Sequence, residues 1–139
     1  DSALRTSEPG VFGAGNLLHP VDTADVAALD GRHVATSVRR WLDTREAAPP
    51  GVRIVAADPF RWVAPSLLVP GSPAPPRGRL LLWSDVHRPA PRVAAYQDGR
   101  EIARTRVPWP LSPGRAFRLP WSLLRRARHD AGEVTIALV

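Results

Sequence analysis

The chain has 139 residues, 44% of them hydrophobic, with no cysteine and a formal net charge of +6. That length holds one ordinary domain, or a small piece joined to a compact one; the missing cysteine excludes disulfides, thiolate metal sites and CxxC redox chemistry within this polypeptide. All 19 basic residues are arginine and they are scattered, with short groups only at Arg39-Arg40 and Arg125-Arg126-Arg128. Scatter fits a solvated basic surface, whereas nucleic-acid faces concentrate charge and interleave aromatics. No apolar run reaches the roughly 20 residues that span a bilayer, and the first residues lack a basic-then-apolar leader. The expectation is a cytoplasmic chain with neither nucleic acid nor membrane as a partner.

Residues 1–7 are polar and aperiodic, which predicts an extended or frayed segment. A short apolar run, Val11-Phe12, leads into the turn Gly13-Ala14-Gly15 and then Asn16. From Thr23 to about Thr44, Val26, Leu29, Val34, Val38, Trp41 and Leu42 recur at steps that predict one apolar helix face. Asp22 or Thr23 is the expected N-cap. Gly31, at mid-helix, costs about 1 kcal/mol relative to alanine and predicts close packing against another backbone. Pro49-Pro50-Gly51 breaks the pattern and divides the chain into 1–48 and 51–139.

Beyond Gly51 the pattern is short β-type runs split by turn residues. Strands are predicted at 52–56, 61–64, 79–86, 92–97, 100–107, 115–119 and 133–139, with a stiff proline-rich loop at 70–78 and a helical turn within 121–128. Asp98-Gly99 is the best hairpin signal; a two-residue loop there sets Gln97 opposite Arg100 and Ala95 opposite Ile102. The expected fold is mainly β with one N-terminal α-helix, the β part being a small two-sheet sandwich of the immunoglobulin or fibronectin kind.

Gly10-Val11-Phe12-Gly13-Ala14-Gly15-Asn16 and the helix after Pro20 resemble a signature of the FAD-dependent pyridine nucleotide-disulfide oxidoreductases, in their thioredoxin-reductase-like branch. The resemblance covers only the N-terminal part of the chain and implies the last strand, turn and helix of an FAD-binding domain. It implies that Gly13, Gly15 and Asn16 border the flavin, with Asn16 at the ribityl-binding position where aspartate is usual. The helix-start amides near Thr23, Ala24 and Asp25 would face the pyrimidine edge of the ring, and the run 28–32 matches the small-residue and glycine pattern of that helix. No GxGxxG follows a strand, so the pyrophosphate-binding half of a dinucleotide fold is missing here. The chain is therefore expected to be the C-terminal part of an FAD-dependent, NAD(P)-linked oxidoreductase, inactive alone. Its partner would be the remainder of the flavoprotein or a partner subunit, with a second copy of the chain as a further option. The competing expectation is a non-catalytic β-sandwich module for interaction or subunit docking.

Other chemistry-bearing residues have plainer expectations. His19, before Pro20, is expected to be a structural loop residue, His33 a packing residue, and His87 and His129 have no partner at metal-ligand spacing. Asp22, Asp25 and Asp30 suggest helix capping and solvation. Trp41, Trp62, Trp83, Trp109 and Trp121 are expected mostly in the core or packed on the sheets.

Overall fold

Strand alternation sets up two sheets that face each other across one apolar layer. In the computed structural model, which describes residues 1–19 and 24–139, a long helix α1 (Ala24–Thr44) precedes eight strands. These are β1 (Val52–Ala56), β2 (Phe60–Ala64), β3 (Leu67–Leu68), β4 (Arg79–Ser84), β5 (Arg92–Gln97), β6 (Arg100–Arg106), β7 (Phe117–Pro120) and β8 (Val134–Leu138). One sheet has the order β3-β1-β8-β5-β6 and the other β2-β4-β7. Pairing is antiparallel except for the parallel β1–β8 contact. The fold is thus mainly β, with one N-terminal helix and two sheets.

β4 shows why these segments are strands. Leu80, Leu82 and Ser84 are buried, while Arg79, Leu81 and Trp83 between them are half-buried, the period of two that a pleated strand imposes. Ile54, Val93, Val134 and Ile136 from the larger sheet meet Phe60, Leu80, Leu82, Phe117 and Leu119 from the smaller one in a single cluster. The core is aliphatic with two phenylalanines, stacked 6.0 Å apart. None of the five tryptophans is fully buried, and Trp109 is 37% exposed; Trp121 packs against the edge of the core.

Several local expectations are corrected. β3 is an added strand: its two residues are too short for a sequence pattern, and they are held by pairing with Val52 and Arg53. The hairpin turn has positive φ at both Asp98 (51°) and Gly99 (73°), as a tight right-twisting turn requires, and Gln97 faces Arg100. Ala95, however, faces Ala103 and not Ile102, because a bulge between Ala95 and Tyr96 shifts the register by one.

Residues 1–7 are not frayed. Ser2, Ala3 and Leu4 are buried, the Asp1 carboxylate accepts from the amides of Ala3 and Arg5 at 3.0 Å each, and His33 Nε2 donates to the Ser2 carbonyl at 2.8 Å. Those bonds, not periodicity, fix the segment. The strand expected at Val11-Phe12 is reduced to one bridge, Arg5 to Phe12, closed by Thr6 N–H to Val11 O and Gly13 N–H to Leu4 O, both 3.0 Å.

Helix α1 is also less simple than its periodicity. Val26 and Asp30 are its buried residues. At about 100° per residue, Val38 and Leu42 rotate past that face, and Leu42 is exposed. Ala24, Ala28, Gly31 and Ala35 are exposed on the same outer side as Leu42. Gly31 makes no close approach: a Cβ built there meets nothing within 4 Å. The expected N-cap, Asp22 or Thr23, lies outside the described residues.

Candidate functional site

The turn after Phe12 is fixed from behind by a charged residue of the helix. Gly15–Leu17 form one turn of 3₁₀ helix, and the Gly15 amide donates to Asp30 Oδ2 at 3.1 Å. The same oxygen lies 3.1 Å from His19 Nε2. Asp30 is 2% exposed and His19 4%, so this carboxylate joins the turn, the imidazole and α1 inside the protein. On its other side the His19 ring stacks on Trp62 of β2, centroids 6.4 Å apart and planes 21° from parallel. Asp30 is therefore not the solvated helix charge that the sequence suggests, and His19 is an interior residue. Its loop context in the sequence does not reveal that.

The glycines of the turn serve internal packing. A Cβ on Gly13 would sit 2.8 Å from Leu18 Cδ2, and one on Gly15 would sit 3.4 Å from the Cβ of Ala27. Gly15 also has φ +64°, a left-handed conformation that side chains resist. The side of the turn beside these glycines, expected to border a flavin, is occupied by Leu18 and by Ala27 of α1. Gly13 and Gly15 are buried, whereas Asn16 is exposed and Leu17 is 83% exposed.

Ala24 and Asp25, at the start of α1, are exposed as well. The Asp25 carboxylate accepts from Arg77 of the proline-rich loop at 3.3 Å, so a guanidinium from the β-module stands at the helix start. Arg77 itself has φ +61°. Thr23 lies outside the described residues. The structure thus brings Gly13, Gly15 and Asn16 into one turn against the first part of α1, with Asn16 outward and the two glycines inward.

Behind the turn is a small cavity of about 130 Å³ lined by Leu18, His19, Val26, Asp30, Val63 and Arg79 among others. A wider cleft of about 510 Å³ lies farther along α1, beside His33, Arg40, Trp41 and Ser72. His87 Nδ1 is 3.1 Å from Ser112 Oγ. Among the described residues no group of three or more His, Asp or Glu is placed to hold a metal ion, and no helix is long and apolar enough to cross a membrane.

The chain matches no protein-family model, no curated protein and no solved structure. A carboxamide can donate and accept at once, and the N-terminal end of a helix favours negative charge.

Proposed function

We propose that this chain is the C-terminal portion of an FAD-dependent, NAD(P)-linked oxidoreductase, supplying the turn and helix that border the flavin while the remaining cradle lies in another part of the protein. The observation that carries this reading is the outward Asn16 on a turn locked from behind against α1. Of the three turn residues only Asn16 is exposed to meet the cofactor; Gly13 and Gly15 face Leu18 and Ala27 and would shape the turn without touching the flavin. Asn16 would bond the ribityl hydroxyls through its amide, and the first-turn amides of α1, about Ala24 and Asp25, would hold negative charge on the pyrimidine side of the ring. Asn16 brings no charge of its own, so its part is orientation. When bound, FAD supplies the hydride and electron chemistry; these residues only bind and orient it.

The outer side of α1 supports the same reading. Ala24, Ala28, Gly31, Ala35 and Leu42 leave a smooth, weakly polar stripe in solvent, and small side chains let another element approach closely. The test is to purify the intact gene product. It should be yellow with bound FAD, and Asn16→Ala should weaken FAD binding about tenfold, the usual effect of losing one or two hydrogen bonds to a ligand. The 139-residue chain alone should be colourless. A flavin-free intact product would end this reading.

A second reading, a non-catalytic docking module, draws support from the β part. Its core cluster is made wholly of residues 52–138, and Trp109 stands partly exposed with the Arg79 guanidinium 5.9 Å from its ring. Flavin content of the intact product separates the two.

A further inference from the structure

We infer that Asp30, His19 and Trp62 form a positioning clasp through which the β-module sets the shape of the Gly15-Asn16 turn; as a statement about flavin binding, this rests on the flavin reading above. The clasp begins with one oxygen. Asp30 Oδ2 accepts from the Gly15 amide at 3.1 Å and is 3.1 Å from His19 Nε2. A carboxylate oxygen only accepts, so Nε2 carries the hydrogen. The two contacts come from opposite ends of the segment 15–19, which is thereby pinned at both ends to one atom of α1.

The pin is buried. His19 and Asp30 are almost fully buried, and leaving either donor unpaired there is costly. The turn lies close to α1 at Gly15, where an added Cβ would stand 3.4 Å from that of Ala27 and the φ of +64° favours glycine. A shift of Gly15 carries Asn16 with it, because the two are consecutive in the same 3₁₀ turn.

The β-module enters through Trp62. Its ring stacks on His19, and Val63, Ala64 and Pro65 beside it line the small cavity together with His19 and Asp30. Trp62 belongs to β2 and pairs with Trp83 of β4, so its ring is carried by a sheet, not by a mobile loop. The imidazole is thus held between a helix carboxylate and a sheet indole. None of the three residues touches the cofactor in this scheme; Asn16 does. They are positioning residues, and the β-module becomes a component of the flavin site.

Two measurements test this. In the 139-residue chain, the amide of Gly15 should exchange slowly with solvent. Asp30→Ala and Trp62→Ala should each speed that exchange about tenfold or more, while Asp30→Asn and Trp62→Phe, which keep an acceptor oxygen and a stacking ring, should stay near wild type. In the intact gene product, Asp30→Ala and Trp62→Ala should weaken FAD binding about tenfold and shift the flavin midpoint potential, with the conservative variants restoring both. Trp121→Ala, a core-border substitution elsewhere in the β-module, serves as the control: it should lower stability without moving the potential. Unchanged Gly15 exchange in Trp62→Ala and Asp30→Ala overturns the clasp. So does an intact product whose FAD affinity and potential follow Trp121→Ala. A clasp seen by exchange in a protein that holds no flavin would leave the coupling between module and turn intact and overturn only its link to flavin.

Discussion

At the scale of single residues, Gln97 is a polar side chain on which the β-module depends. It is buried, and its carboxamide donates to the carbonyls of Arg128 and Gly132 at 2.8 Å each while accepting from the Arg128 amide at 2.9 Å. One side chain thus satisfies backbone groups of the loop that leads into β8. Asp98 next to it accepts from the Gly132 amide at 3.1 Å, so the hairpin turn and that loop are tied twice. Gln97→Leu keeps the volume roughly but leaves those backbone groups without partners, and the expected loss of stability is about 2–3 kcal/mol. Urea unfolding should show a lower midpoint with an unchanged slope, since the surface exposed on unfolding hardly changes. A loss under about 0.5 kcal/mol would mean that water replaces all these bonds. By contrast, the exposed ion pairs Arg104–Glu101 and Arg128–Asp130 hold their carboxyls below the ordinary range, first through the arginine hydrogen bond, yet solvent screens them and they contribute little.

Helix α1 is the element where sequence and structure part most instructively. Its existence and its end near Thr44 follow from apolar spacing and the Pro49-Pro50-Gly51 break, and the limits of β1 and β5 follow just as directly from alternation and flanking turn residues. The parallel pairing of β1 with β8 does not, because nothing local in either strand names a partner some eighty residues away. Nor does the role of Asp30. An aspartate on a helix reads as solvated, and its partners Gly15 and His19 lie in a turn whose packing is decided by Trp62 and Leu18, not by any repeat. Of the site, the glycine turn ahead of α1 can be read in advance; the exposure of Asn16 and the clasp behind it cannot. Gly31 is the clearest misreading, since mid-helix glycine suggests close contact and the position is open to solvent. Because a Cβ there meets nothing, Gly31→Ala should stabilise this chain by about 0.5–1 kcal/mol through helix propensity and a less flexible unfolded state. Thermal unfolding checks it, and a destabilised variant would reveal a neighbour at Gly31 in solution.

For the whole molecule, the question is what the outer side of α1 is for. The β-module has a self-contained core, and the inner side of α1 is settled by Val26, Asp30 and the His19–Trp62 stack. The outer side carries Ala24, Ala28, Gly31, Ala35 and Leu42 in solvent, with Leu17 exposed on the adjoining turn. Scattered exposed apolar residues need no explanation, but a stripe of small ones along a helix suits close approach of a second element. If the flavin reading holds, that element belongs to the FAD-binding body, and folding of this chain and its assembly depend on different sides of one helix. The two can therefore be separated by substitution. Ala28→Arg places a long charged side chain on the exposed stripe, where it costs the isolated chain little, within about 0.5 kcal/mol as for most surface changes. Against a docked partner the same guanidinium is both a steric and a desolvation obstacle. With the upstream part of the gene product and this chain expressed as separate polypeptides, the wild-type pair should co-purify with FAD, and Ala28→Arg should lose both the partner and the flavin while its own unfolding temperature stays put. Retention of partner and flavin by Ala28→Arg would place the assembly surface elsewhere, with the wider cleft beside Trp41 and Ser72 as the next face to probe.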